Sequence, residues 1–473
     1  MRSAAGKMKI KDGRNLRHPP GKPDTKNVRP ILMPHVLRVQ PRRVSLDLSS
    51  NKILAAHAHP ASCCKLSQKA RFCLLAILLC FAARSASAVV RAPNGTDTDP
   101  LNLTPEVQTA YRHFYNLDYA DAGTLFAKIA AEHPTDPMAA DYVLNNAVFR
   151  ELYRLDLLDT TLYVQDGFLS GKHPVVEDLR VSARVDGLYQ HAIDLSNRRL
   201  AANPNDLDAL FARGYATSLE TVYIGMVEKK YIPALRMALS ARNDDDQVLK
   251  QDPKYIDCYL IVGVHDYVLG SLAFPFKILA GLVGMHGSKS KGIMELRLVG
   301  QYGIINSVAA RTALAIFLRR EAKYPQAIVV IDGLARQYPH NFLFALEQAN
   351  LLKDSGQGMR AIAAYQALLQ RAIAPGGYYP DPHLEMAYFG LGEAARGQRH
   401  IATAAAAYRN AAAQSTASPL MQRRAHLAAG EMLDLLGQHA QAKKQYDAVL
   451  ALGADSDQAQ RASKLETSPY RGK

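Results

Sequence analysis

The chain has 473 residues, of which 48% are hydrophobic and 21% are charged, enough for one extended domain or two to three compact ones. Its formal net charge of +14 belongs to the N-terminal part. Residues 1–88 hold 17 Lys or Arg against 3 Asp, whereas 89–473 hold 40 basic and 40 acidic residues. Because the body is neutral it lacks the basic surface that nucleic acid requires, and we expect no DNA or RNA partner.

Residues 65–88 have the three parts of a secretory signal peptide. Basic residues from Lys65 to Arg71 precede an apolar run over 72–83, and small residues follow it up to Ala88. The pattern predicts export to a periplasm or cell envelope, with cleavage after Ala88. The run is shorter than the roughly 20 residues of a membrane-spanning helix. An uncleaved leader that serves as a membrane anchor is the alternative.

The segments on either side of this leader have no sustained periodicity. Residues 1–64 are rich in Pro, Arg and Lys, which predicts a disordered basic extension or a start codon assigned too far upstream. Residues 89–102 are expected to be a linker. Only Cys258 lies beyond the predicted cleavage site, so the mature chain can form no internal disulfide or cysteine metal cluster.

Beyond the linker, apolar residues recur at helical spacing, and Gly, Asn-Pro or Asp-Pro turns interrupt them. This pattern predicts an all-α body. In residues 103–306 the helices are irregular. The spacing predicts a hairpin at 103–136, two or three helices over 140–200, and first helices of later hairpins that carry Gly214 and Gly263.

Three features of this region resemble functional sites. The apolar stretch Leu269–Met285 is interpreted as a buried helix, with contact to a bilayer as the alternative. The segment Gly284–Gly292 has the glycines of a phosphate loop, but Ser288 stands where a Lys is required, so we expect a flexible basic loop. His265 and Asp266 are adjacent on a helix and do not face each other, so we expect an inter-repeat hydrogen bond rather than a catalytic pair.

Residues 307–456 carry the strongest signal. A small residue is followed twelve positions later by another small residue, and a bulky residue comes four positions after that. Small side chains let two helices approach closely, and the bulky one is expected to fill the gap towards the next unit. The predicted hairpins are 308–341, 342–375, 385–418 and 423–456. The residues are Ala315, Ala327, Ile331; Ala349, Ala361, Tyr365; Gly392, Ala404, Tyr408; and Gly430, Ala442, Tyr446.

This register resembles the tetratricopeptide-repeat (TPR) superfamily, whose period is the 34 residues between the first two hairpins. The resemblance implies a right-handed superhelical solenoid of antiparallel hairpins, seven or eight over 103–456, degenerate over 103–306 and well formed over 307–456. Residues 255–345 are also similar to the tetratricopeptide-repeat-39 and fungal mitochondrial outer-membrane inclusion-clearance family, through Phe274 to Leu279 and Tyr338 to Phe344. A Pro-Ile-Leu-Gly helix precedes the later repeats in that family.

The resemblance also implies a peptide-binding groove, because the first helix of each hairpin lines the concave surface of such arrays. Chaperone-docking members hold a terminal carboxylate with Lys and Asn, and the equivalent positions here do not reproduce that clamp. An apolar stripe among mixed charges instead favours an extended or helical protein segment. The predicted groove residues are Thr312, Ile316, Arg319, Arg320, Leu346, Asn350, Lys353, Asp354, Met386, Phe389, Glu393, Arg396, Leu427 and Glu431, with Arg424 and Asp434 at equivalent positions.

The sequence therefore predicts a non-catalytic exported scaffold or adaptor that binds a protein or peptide segment and uses no cofactor or metal. A neighbouring helix, or the tail 457–473 that we expect to be disordered, could cover part of the groove. The alternative function is a peripheral membrane protein that uses Leu269–Met285 or an uncleaved leader. A third candidate function is that of an enzyme with an unrecognised site, which no motif supports.

Overall fold

A computed structural model of the chain describes residues 95–164, 175–272, 286–453 and 455–472. These residues form 17 α-helices and no strand, which confirms the all-α solenoid prediction. The predicted extension 1–64, the signal peptide with its cleavage after Ala88, and residues 273–285 of the apolar stretch lie outside the described residues. Among the described helices, none has both the length and the hydropathy that a bilayer crossing requires.

Eight helices make up the first half of the array. Several begin after an Asp whose side chain accepts a backbone N–H of the first turn, as at Asp136, Asp178 and Asp206, and this capping fixes where each helix starts. The helices are α1 Pro105–Tyr115, α2 Tyr119–Glu132, α3 Pro137–Arg154, α4 Leu179–Ala202, α5 Leu207–Met226, α6 Tyr231–Gln251, α7 Tyr259–Ser271 and α8 Lys289–Tyr302.

The hairpins predicted in this half are present. The pair α1–α2 is the hairpin at 103–136, and α3 and α4 are the two helices over 140–200. Gly214 and Gly263 lie on α5 and α7, where a Cβ would come within 3.2 Å of the Ala241 carbonyl on α6 and 3.1 Å of the Gly292 carbonyl on α8. Glycine at these positions lets the two helices of each hairpin pack closely.

Three expectations for the connecting segments need correction. The loop expected over Gly284–Gly292 is helical from Lys289, because the Ser288 hydroxyl accepts the Lys291 N–H and caps α8. Part of the linker expected over 89–102 packs against the helices. The Thr96 hydroxyl donates to the Tyr302 carbonyl at 3.1 Å. The tail expected to be disordered forms a helix over Asp457–Thr467, where capping by Ser456 and two buried alanines fix it.

The second half contains four regular hairpins and the final helix. The small residues of the predicted register, from Ala315 to Ala442, are buried between paired helices. These helices are α9 Ser307–Arg320, α10 Tyr324–Gln337, α11 Phe342–Asp354, α12 Gly358–Ile373, α13 Leu384–Gly397, α14 Ile401–Ala412, α15 Pro419–Leu435, α16 His439–Ala451 and α17 Asp457–Thr467.

The bulky position of the register packs towards the next hairpin at Tyr365, as expected, but on its own hairpin at Tyr408 and Tyr446. The ring of Tyr408 lies against Gly392 of its own hairpin, where a Cβ would be 2.5 Å from a ring carbon. Tyr446 packs in the same way on Gly430, whereas Tyr365 packs on Gly390 of the next hairpin. The small residue on the first helix therefore makes room for an aromatic ring as well as for a neighbouring helix.

The first half also packs directly on the regular hairpins. The Tyr115 hydroxyl on α1 donates to the Ile305 carbonyl at 3.2 Å, and the Asn341 amide donates to the Tyr115 carbonyl at 2.7 Å. Near the end of α3, the Tyr153 hydroxyl donates to the Asp381 carbonyl at 2.8 Å. One apolar core cluster joins residues from Leu101 to Ala462 of both halves, and a second cluster joins helices α7 to α11.

Candidate peptide-binding surface

The predicted groove residues lie on α9, α11, α13 and α15, the first helices of the four regular hairpins. The structure places them in three environments. A segment from the first half contacts the part on α9 and α11, and the C-terminal residues contact the last part on α15. Between them lies a surface on α13 and α15 that we call the central patch, formed by Phe389, Arg396, Arg424 and Leu427.

On α9, Arg319 is only 3% exposed and is committed to internal contacts. Its Nη1 lies 3.1 Å from Glu347 Oε2 and its Nε lies 2.7 Å from Asp354 Oδ2, both on α11. The same guanidinium donates to the Thr160 hydroxyl at 3.2 Å, and that hydroxyl in turn donates to Glu347. Arg319 therefore joins two hairpins to a residue that follows α3.

The segment that carries Thr160 is a single 3-10 turn, Thr160–Tyr163, which follows α3. Besides the Thr160 contacts, the Tyr163 carbonyl accepts a hydrogen bond from Arg320 at 2.7 Å. The protein therefore binds an irregular segment of its own chain against two helices predicted to line the groove. Nothing in the local sequence of 160–163 indicates this contact, since its partners lie more than 150 residues away.

The charges around Arg319 compensate one another. Burial raises the pKa of Glu347, and the positive charge of Arg319 opposes that rise. Burial also acts to raise the pKa of Asp354, but Arg319 and Lys353 outweigh it and hold the pKa below the ordinary value. A buried guanidinium with two carboxylates stabilises the fold only while all its partners remain.

The other predicted residues of α9 and α11 are partly or wholly internal. Leu346 and Asn350 are each 3% exposed, and Thr312 and Ile316 are half-buried. The Asn350 side chain accepts a hydrogen bond from the Tyr365 hydroxyl at 2.6 Å. These residues hold the hairpins together, and only their remaining exposed atoms can meet a ligand.

The bond from Tyr365 to Asn350 has counterparts in the next two hairpins. Tyr408 donates to Glu393 at 2.6 Å, and Tyr446 donates to Asp434 at 2.7 Å. In each case the bulky residue of the second helix satisfies a polar residue at a predicted groove position. In the first two of these hairpins the tyrosine follows its acceptor by 15 residues, a spacing visible in the sequence.

The C-terminal residues cover the last part of the predicted groove. Arg461 on α17 bonds to Glu431 at 2.6 Å, and the backbone N–H of Tyr470 donates to Asp434 at 2.8 Å. Glu431 is consequently 5% exposed, and burial raises its pKa while Arg461 opposes the rise. This arrangement matches the alternative in which the tail covers part of the groove.

The central patch combines a half-buried aromatic ring with cationic side chains. The guanidinium of Arg424 lies 4.6 Å from the centre of the Phe389 ring. Arg424 makes no ion pair with any residue that the structure describes. Arg396 is exposed and bonds to Glu393 at 3.1 Å, Leu427 is half-buried, and Met386, also on α13, is 5% exposed. The patch can accommodate an apolar side chain beside a carboxylate.

The pair His265–Asp266 makes the expected contacts between helices. Asp266 on α7 lies 2.6 Å from Arg242 on α6 and 2.7 Å from Lys291 on α8. Burial acts to raise the pKa of Asp266, but the bonds from Lys291 and Arg242 hold it below the ordinary value. The contacts therefore stabilise the packing of three helices.

The antiparallel pairs and the contacts of small residues with aromatic rings define an all-α helical-repeat fold. No family model matches the chain, and no curated protein matches it. The similarity to the inclusion-clearance family thus stays a prediction.

Several solved structures are similar to this chain at low identity. A tetratricopeptide repeat protein from Parabacteroides merdae is 14% identical, with 68% of this chain and 97% of that chain covered and a TM-score of 0.31. Yeast Tom70 is 13% identical, with 78% of this chain and 83% of that chain covered and a TM-score of 0.37. A chain of the Cut9–Hcn1 hetero-tetramer of the APC/C is 12% identical, with 84% of this chain and 82% of that chain covered and a TM-score of 0.32.

Proposed function

We propose that the protein is a non-catalytic scaffold that binds an acidic and apolar segment of a partner protein on the central patch. The supporting observation is Arg424, which lies over the half-buried ring of Phe389 without a carboxylate partner in the described chain. Interfaces draw much of their energy from aromatic and Arg side chains of this kind. A ligand carboxylate would pair with Arg424 while a neighbouring apolar side chain contacts Phe389.

The way the protein binds its own segment supports this mode of recognition. The turn Thr160–Tyr163 is held through one hydroxyl and one backbone carbonyl against side chains of α9 and α11. The central patch occupies the corresponding surface two hairpins further on. A partner segment can use the same kind of contact there, with side-chain pockets providing specificity.

A random-peptide phage library selected on the immobilised full chain tests the proposal. We expect enriched peptides to carry an apolar residue next to Asp or Glu, and Phe389→Ala and Arg424→Glu to lose them. Arg424→Glu should select basic peptides instead. Val329→Ala is the matched control, because Val329 is 70% exposed on α10, outside the patch. Peptides retained equally by all variants, or no enrichment at all, would contradict the proposal.

Export is the second part of the proposal and rests on the signal-peptide pattern of 65–88. Production of the full chain in a bacterial host, followed by N-terminal sequencing, tests it. We expect Val89 as the first residue and recovery in the soluble periplasmic fraction. A chain that retains its leader and sediments with membranes would support the anchored alternative.

Peripheral membrane binding is the other candidate, and it is favoured by exposed apolar side chains on α6 and α7. Ile232, Leu235 and Val268 are 68%, 50% and 44% exposed. Flotation with anionic vesicles tests this function. The test variant combines Ile232→Ser with Leu235→Ser, and the control combines Val329→Ser with Met359→Ser. Vesicle binding that the test variant loses and the control keeps would favour the membrane function over the scaffold function.

A further inference from the structure

Three side chains from distant parts of the chain meet where the end of α3 contacts the start of α13. Asp156 follows α3, and His383 and Glu385 flank the first residue of α13. The His383 Nδ1 atom lies 2.7 Å from Asp156 Oδ1 and 2.9 Å from Glu385 Oε1. The exposed fractions of the His383 and Glu385 side chains are 5% and 0%, and that of Asp156 is 16%. We call these three residues the acidic-histidine cluster.

Hydrogen bonding within the chain leaves the cluster incompletely satisfied. One ring nitrogen carries at most one N–H, yet two carboxylate oxygens converge on it. The contact with Glu385 has the geometry of a hydrogen bond, whereas the buried Asp156 Oδ1, 2.7 Å from the same nitrogen, makes no hydrogen bond of good geometry with any described residue. Even with a doubly protonated imidazole, the cluster keeps a net charge of −1. A buried site with excess negative charge and an unsatisfied oxygen is suited to a cation.

The surroundings hold the three donor atoms in place. The Thr416 hydroxyl donates to the second oxygen of Glu385 at 2.5 Å, which leaves Oε1 directed at His383. The Tyr153 ring packs edge-on against the imidazole with 4.5 Å between ring centres. Outer contacts of this kind orient metal ligands and raise the affinity of metal sites.

We propose that Asp156, His383 and Glu385 bind one divalent transition-metal ion that joins the end of α3 to α13. The three donor atoms all lie within 4.8 Å of one another, close enough to share one ion. One imidazole nitrogen and two carboxylate oxygens suit Zn²⁺, Mn²⁺ or Co²⁺ better than Ca²⁺ or Mg²⁺, which prefer oxygen ligands alone. Water would complete the coordination. Bound metal would tie the irregular half of the array to the regular hairpins.

A second triad provides an internal comparison. His113, Asp118 and Asp121 have the same donor types within the same distance of one another. Their side chains are 38%, 30% and 69% exposed, and Asp118 already caps α2 by accepting the Asp121 N–H. Water competes for such an exposed site, so the proposal assigns the metal to the buried cluster alone.

Cobalt binding to the full chain tests the proposal. Protein treated with EDTA and then dialysed is titrated with Co²⁺, while visible absorption and heat are recorded. We expect one equivalent of Co²⁺ to bind, ligand-field absorption bands to appear, and the melting temperature to rise. Asp156→Asn and Glu385→Gln should each weaken binding by more than about 10-fold, and His113→Ala should bind as the wild type does.

Asp156→Asn is the safer of the two variants for folding, because Asp156 is the most exposed of the three residues. Circular dichroism of each EDTA-treated variant shows whether it is folded. Wild-type protein without cobalt absorption bands would overturn the proposal. So would binding that survives both substitutions in folded protein, or that is lost in His113→Ala.

Discussion

The two halves of the array stabilise buried polar groups in different ways. In the regular hairpins the partner comes from the same hairpin or the next one, as Tyr408 bonds Glu393 and Arg319 bonds Glu347. In the irregular half Arg242 bonds Asp266 on the next helix, but Asp141 on α3 has two buried oxygens without a hydrogen-bond partner in the described chain. The repeat spacing therefore satisfies these carboxylates of the regular half, whereas the carboxylate of Asp141 in the irregular half stays without a partner.

This difference gives the halves different vulnerabilities. In a regular hairpin, one small residue decides whether a ring fits, so a single methyl group has a large effect. In the irregular half, buried carboxylates reduce the stability of the native state at neutral pH, so a neutral replacement can stabilise it. Substitutions at matched positions can test the comparison.

Arg319→Met should have the largest effect. It removes the charge that compensates Glu347 and Asp354, and breaking a buried ion pair costs about 3–5 kcal/mol. Urea denaturation should show this loss, and the double variant Arg319→Met with Glu347→Gln should recover part of it. If both variants are as stable as the wild type, the ion pairs do not stabilise the interface between α9 and α11.

Gly392→Ala should cost about 1–3 kcal/mol, because the added Cβ would lie 2.5 Å from the Tyr408 ring. Gly333→Ala on α10 is the control. A Cβ there meets no atom within 4 Å, so we expect a gain of about 0.5–1 kcal/mol from the lost flexibility of glycine. Equal effects in thermal denaturation would show that the close contact at Gly392 is absent.

The sequence predicted the regular half in detail and the irregular half only in outline. Ala315 and Gly392 occupy the positions that the twelve-residue spacing assigns, because a helical hairpin is determined by residues close in the chain. The turn at Thr160 and the cluster of Asp156 with His383 could not be predicted, because their partners are about 190 and 230 residues away. The predicted groove residues lie on the first helices of the regular hairpins, but contacts such as that of Arg319 with Thr160 depend on distant segments.

Asp141→Asn tests the irregular half. Burial raises the pKa of Asp141 well above 3.8, with Asp136 adding to the rise. The folded state therefore holds the proton more tightly than the unfolded state, and stability falls as the pH rises above about 4. The variant should be more stable than the wild type by about 1–3 kcal/mol at pH 8 and by less at pH 5. Asp186→Asn, at an exposed position on α4, is the matched control for the loss of a carboxylate.

Two tyrosine substitutions compare how much stability each half loses when one side-chain hydrogen bond is removed. Tyr408→Phe removes a hydrogen bond to Glu393, whose side chain is 30% exposed, so water can replace the hydroxyl and the loss should be about 0.5–1.5 kcal/mol. Tyr142→Phe on α3 removes the 2.6 Å bond to Asn102, which is completely buried. Since water cannot reach Asn102, its oxygen stays unsatisfied and the loss should reach about 1–3 kcal/mol. Denaturation of both variants under identical conditions measures the difference directly. A larger loss for Tyr408→Phe would mean that the regular hairpins, rather than the irregular half, depend more on their buried polar contacts.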